Sequence, residues 1–141
     1  MQQEIYQLFV YGSLRSGFHH PAYEYISKYF LLVGNATVQG QLFDMGEYPA
    51  AIPVFTGHYI KGELYALKHT DEFSWAIAQI DDYEGIYPEL GELPLYRRDI
   101  ATVHCNGLMH SAWIYWYNGN VTGHLPIESG DVLEYLKQKE K

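Results

Sequence analysis

Short apolar runs that stop at glycine or proline fill the first seventy residues, and a helical period replaces them only from residue 71. Ile5 to Tyr11 predicts a buried strand. "LFVYGSLRSG" then turns at Gly12 into a short polar loop closed by Gly17, and a short helix is expected from near Pro21, because proline suits a first helical position. "LLVGNATVQGQLFDMG" and "GHYIKGELYALKH" predict strands, the second by its alternation, with "GEYPAAIPV" between them punctuated by Gly46, Pro49 and Pro53. Phe73, Ile77, Ile80 and Glu84 fall on one helical stripe, with Asp71 and Glu72 at the positive N-terminal end and Gly85 as the stop. "YRRDIATVHC" and "LMHSAWIYWY" flank Asn106-Gly107, a strong hairpin signal that sets Cys105 against Leu108, Val103 against His110 and Tyr96 against Tyr117. "SGDVLEYLKQKEK" predicts a last amphipathic helix capped by its Ser or Asp, with lysines at its end.

Strands outnumber helices, and the order never settles into a βαβ alternation, so a doubly wound parallel sheet is not expected. The pattern predicts an α+β fold: a small mixed, mainly antiparallel, strongly curved sheet or barrel with flanking helices. In "AWIYWY" Trp113, Tyr115 and Tyr117 lie on one face and Ile114 and Trp116 on the other, so both faces need cover. No repeat, linker or low-complexity tract interrupts residues 1–141, which read as a single domain. With 17 acidic against 9 basic residues and no basic run beyond the terminal "LKQKEK", the electrostatic footprint of a nucleic-acid binder is missing. One cysteine rules out an internal disulfide, the opening residues are too polar for a signal sequence, and no apolar run approaches a membrane span, so the cytosol is the expected compartment. The 14 tyrosines fit either a core of sheet aromatics or the wall of a pocket.

Several candidate sites compete. Gly12 and Gly17 have the spacing of a phosphate-binding loop, but Phe18-His19 replaces its lysine and hydroxyl residue, and Leu14 breaks a dinucleotide fingerprint. What remains is a tight turn, either a plain connection or a nest of backbone N–H groups that holds an anion or a polarised carbonyl. Seven histidines show no H-E-x-x-H spacing, so no metal is expected. Cys105, beside the hairpin turn, reads as a packed or half-exposed thiol, and Ser13 lacks the second glycine of a nucleophile elbow. Glu84 has two readings. On the apolar stripe at a helix C-terminus, burial and the dipole both raise its pKa and make it a general base near neutral pH; alternatively the helix end frays and Glu84 is solvated, as expected of Asp81 and Asp82.

Taken in order, "FVYGSLRSG", "GEYPAAIP", "GELYAL", "IDDYEG", "YRR", "AWIYWY" and "IESGD" resemble the gamma-glutamylcyclotransferase-like family, over nearly the whole chain. The resemblance implies a small mixed barrel with flanking helices and a cofactor-independent reaction on a small γ-glutamyl substrate, giving 5-oxoproline and a free amine. It implies that the amides of Tyr11, Gly12, Ser13 and Leu14 hold the glutamyl part, that Glu84 in Asp82-Tyr83-Glu84-Gly85 is the acid/base, and that Tyr115 faces the cavity, with Tyr48 and Tyr96 as further candidates. Some members of the bacterial branch that this chain resembles lack the glutamate; this sequence keeps it. Arg15 either meets a substrate carboxylate or is a solvated loop residue. The alternative to an enzyme is a non-catalytic barrel that binds a small ligand or a partner through the same cavity.

Overall fold

The structure, a computed structural model, describes residues 5–12, 15, 23–46, 49–54, 57–84 and 96–139. Five strands close a barrel in the order β1 (Gln7–Val10), β5 (Tyr59–Leu67), β2 (Phe30–Gln39), β6 (Tyr96–Cys105), β7 (Leu108–Tyr117), which returns to β1. All its pairings are antiparallel except the β1–β7 seam, which is parallel at Leu8 and Trp113. A second, three-stranded sheet places β3 (Gln41–Asp44) between β4 (Pro49–Ile52) and β8 (Leu125–Ile127). The helices are α1 (Tyr23–Tyr29), α2 (Phe73–Glu84), entered through a 3₁₀ turn at Thr70–Glu72, and α3 (Val132–Lys139). None of the helices among the described residues is long and apolar enough to cross a membrane.

The β6–β7 hairpin has the expected register, including Cys105 with Leu108, Val103 with His110 and Tyr96 with Tyr117. Asn106 and Gly107 both take positive φ, 53° and 77°, which is the backbone of a type I′ turn. Alternate residues of β7 then serve different cores. Ala112, Ile114 and Trp116 join Phe9, Val38 and Leu64 in the barrel interior. Trp113, Tyr115 and Tyr117 face outward with Leu8, Val10 and Tyr65, where Ile26 of α1 and Ala76 and Ile80 of α2 cover them. At Gly62 strands β1 and β5 come so close that a Cβ would collide with the Val10 carbonyl oxygen and the Phe9 ring, so only glycine fits.

Two elements differ from expectation. The stretch read as one strand from Leu31 breaks at Gly40, whose amide donates to the His58 carbonyl as the chain leaves the barrel for the second sheet. The proline-punctuated segment forms strand β4: Pro49 occupies its first position and the strand lies at a sheet edge, both places where a missing N–H is tolerated. Pro21 and Gly85, the expected helix start and stop, lie outside the described residues.

Candidate active site

The C-terminal half of α2 builds the site. The helix buries Ala76, Ile77, Ile80 and Asp81, so its inward face runs through Asp81 as well as through the expected apolar positions. Asp81 is 2% exposed and is therefore not the solvated residue that its place beside Asp82 predicted; Asp82 itself is exposed. A carboxylate enters such a place only with partners, and one oxygen, Oδ1, accepts from both Arg98 Nε at 2.8 Å and the Tyr115 hydroxyl at 2.7 Å. The hairpin register supplies both donors, because Arg98 and Tyr115 are paired residues on the outer face. Behind them the Arg98 guanidinium stacks on Trp113, 4.3 Å from the ring centroid.

Glu84 follows one turn later on the same face of α2. Part of the residue reaches the surface, but protein atoms surround its carboxyl, and that burial together with the negative charge of Asp81 pushes its pKa from 4.5 up to about 7. Tyr11, at the end of β1, donates its hydroxyl to the Tyr115 carbonyl at 2.5 Å. Its pKa is driven well up, first by burial and then by the neighbouring Tyr96 and Glu84, so the phenol stays protonated. Tyr115 is likewise held protonated, by burial, by Asp81 and more weakly by Glu84. Tyr96 donates to the Pro49 carbonyl at 2.7 Å, and the Pro49 ring stands 3.6 Å from where a Cβ at position 12 would lie. Tyr11, Gly12, Tyr96, Tyr115 and Glu84 are thus brought to one region, where a carboxyl poised near neutrality is set beside the neutral phenols of Tyr11 and Tyr115.

Gly12 opens a turn closed by the Arg15 amide, which donates to the Gly12 carbonyl at 2.9 Å. Ser13, Leu14 and Tyr48 lie outside the described residues. Arg15 is not a solvated loop residue: it is 8% exposed, with Nη1 donating to Asp131 Oδ1 at 2.9 Å. Cys105 is buried in the barrel interior. Among the described residues no three His, Cys, Asp or Glu side chains gather in a way that would hold a metal ion. A cavity of about 480 Å³ opens beside Val38, Pro53, Arg97, Asp99 and Trp116. It is a separate feature, since Arg98, between Arg97 and Asp99, turns to the opposite face of β6 to reach Asp81.

Asp81 was missed by the sequence reading, and Asp131 was expected as a candidate cap of the last helix, which it is, but not as the partner of Arg15. The signal for Asp81 was Arg98, a cation registered against a core tyrosine, which demands an acidic partner.

The architecture is that of the gamma-glutamylcyclotransferase-like barrels. The solution structure of ytfP from Escherichia coli matches 92% of this chain and 97% of its own, with a TM-score of 0.61 and 27% identity. The crystal structure of YkqA from Bacillus subtilis gives a TM-score of 0.71 at 24% identity, over 98% of this chain and 44% of that one. In sequence, residues 8–134 match the family described as Gamma-glutamyl cyclotransferase, AIG2-like, and the chain belongs to that family. The E. coli (strain K12) "Gamma-glutamylcyclotransferase family protein YtfP" is 30% identical over 129 residues, 91% of this chain and 96% of that protein. The "Gamma-L-glutamyl-butirosin B gamma-glutamyl cyclotransferase" of Niallia circulans is 30% identical over 112 residues, 79% of this chain and 66% of that protein.

Proposed function

We propose that the protein is a cyclotransferase that converts a γ-glutamyl amine or peptide to 5-oxoproline and the free amine, with Glu84 as general acid and base. The observation that carries this reading is the Glu84 carboxyl, enclosed beside Asp81 and titrating near 7, the range in which a base both accepts and returns a proton efficiently. The substrate brings its own nucleophile. Its α-amine loses a proton to Glu84 and attacks the side-chain amide carbonyl, forming the ring C–N bond; the tetrahedral oxyanion collapses, the original amide C–N bond breaks, and Glu84 returns the proton to the departing nitrogen. No electrons are exchanged and no co-reactant is consumed. Backbone amides of the Tyr11–Leu14 turn would hold the glutamyl part and stabilise the oxyanion, and joining the two reacting groups in one bound molecule removes much of the entropic barrier. Tyr11 and Tyr115, kept neutral, would wall the site without competing for the proton. The Niallia relative is named as a gamma-glutamyl cyclotransferase of gamma-L-glutamyl-butirosin B, which supports a small γ-glutamyl amide as the substrate class.

The deciding experiment is 5-oxoproline release from a panel of γ-glutamyl amines, γ-glutamyl dipeptides and γ-glutamyl-ε-lysine, with binding of the same compounds measured in parallel. Turnover of at least one compound is expected, and binding throughout the panel with no 5-oxoproline would return the chain to the non-catalytic reading. The turn is tested separately. Gly12→Val is expected to raise KM at least about tenfold, because branched bulk against Pro49 displaces the amides, while Ser13→Ala leaves turnover within about threefold. Loss of all turnover in Ser13→Ala with binding retained would instead point to a serine nucleophile.

A further inference from the structure

We infer that Arg15 and Asp131 form a positioning latch that fastens the closing residue of the turn opened by Gly12 to the N-terminal end of α3. This rests on the turn's proposed role and extends it to residues 116 positions apart in sequence. The anchor side is built rigidly. Gly130, at a positive φ of 70°, donates to the Ile127 carbonyl at 3.0 Å and accepts from the Lys61 amide of β5 at 2.7 Å. Asp131 Oδ1 caps α3 by accepting from the amides of Leu133 at 3.0 Å and Glu134 at 3.3 Å, and the Tyr135 hydroxyl ties the helix to Asp44 of β3 at 2.7 Å. That same Oδ1 takes the Arg15 guanidinium.

Among the described residues, the Arg15 amide closes the turn on the Gly12 carbonyl at 2.9 Å, and the ion pair fixes the Arg15 side chain. The pair is also poorly made for stability. One guanidinium nitrogen meets one carboxylate oxygen, and Arg15 Nε is buried with no hydrogen-bond partner. A pair kept for stability alone would be bidentate or replaced by apolar contact, since a buried ion pair adds little net stability and an orphaned donor costs some. What this one supplies is a fixed location: it clamps the last residue of the turn to a helix cap that is itself fastened to two sheets. Burial pushes the Asp131 carboxyl up, but the Arg15 bond and charge and the two helix amides outweigh it and hold it below the usual range, so the pair stays ionised at neutral pH.

The test uses the full chain with Asp131→Asn, which keeps a good helix cap but loses the charge, and Arg15→Met, which removes the pair from the other side; the double variant pairs apolar bulk with a neutral cap and remains foldable if Asp131→Asn alone does not. Amide hydrogen exchange reads the latch without any substrate. The amide at position 15 is expected to exchange at least about tenfold faster in each variant, while the amides at 133 and 134 stay protected in Arg15→Met. Unchanged protection at position 15 would overturn the latch, whether or not the protein turns over any panel compound. On a compound that wild type accepts, KM is expected to rise about tenfold with the pH profile of the rate unmoved and with the double variant no worse than either single one. Additive losses, or a displaced pH profile, would show that the two residues act separately or through Glu84. Absence of wild-type turnover would count against the proposed reaction and leave the exchange result to decide the latch.

Discussion

Glu84→Gln is expected to lower 5-oxoproline formation by roughly 10² or more while the affinity for a γ-glutamyl compound survives, because glutamine keeps the shape of the side chain and cannot take the proton. With Glu84 as the proposed base, the carboxylate is the active form, so the wild-type rate should rise with pH through about 7 and flatten above it. Stability should move the opposite way. The folded carboxyl holds its proton until about 7 whereas the unfolded one loses it near 4.5, so the wild type loses stability as pH climbs through that window and nothing below it. Glutamine carries no such penalty. Since part of Glu84 meets water, the variant is expected to gain on the order of 1–2 kcal/mol above pH 7 and nothing at pH 4, read by denaturant unfolding at the two pH values. Near-normal turnover in the variant would remove Glu84 from the mechanism, and equal stability at both pH values would mean that its carboxyl is solvated.

Asp81→Asn should have the largest effect on stability. It leaves the Arg98 guanidinium without its counter-charge in a site where Asp81 is 2% and Arg98 21% exposed, and a loss of about 2–4 kcal/mol is expected in thermal or denaturant unfolding. The informative readout is the pH profile. Removing the Asp81 charge takes away one of the two influences that raise Glu84, so the rising limb should move to lower pH. Asp82→Asn, one residue along and exposed, should alter neither stability nor profile. A destabilised Asp81→Asn with the limb unmoved would make Asp81 a purely structural residue.

The legibility of this chain followed the range of its interactions. The hairpin could be read to the residue because Asn106-Gly107 fixes both the turn and, by counting outward, every pair up to Tyr96 and Tyr117. The α2 stripe was legible through Phe73, Ile77, Ile80 and Glu84, yet a helix face also includes the i+8 position, and Asp81 occupies it. An acid there reads as solvent-facing until its partner is known, and that partner is on a different element. Strand β4 was obscured by its prolines, which local rules treat as breakers and which an edge position accommodates. Arg15 was harder still: its burial depends on Asp131, and no pattern within a window of residues reports a contact between the two ends of a chain.

The parallel seam between β1 and β7 also sets the order in which the molecule can be made. Tyr11 waits for a carbonyl 104 residues downstream, and at synthesis rates of roughly 5–20 residues per second that acceptor emerges about 5–20 s later. During that interval β1 can pair with β5, but its other edge stays bare. The contact between Tyr11 and Tyr115 therefore belongs to the last stage of folding, after most of the barrel is committed. Damage along the seam should accordingly appear first as aggregation of nascent chains and lost yield, with the molecules that do mature behaving almost normally.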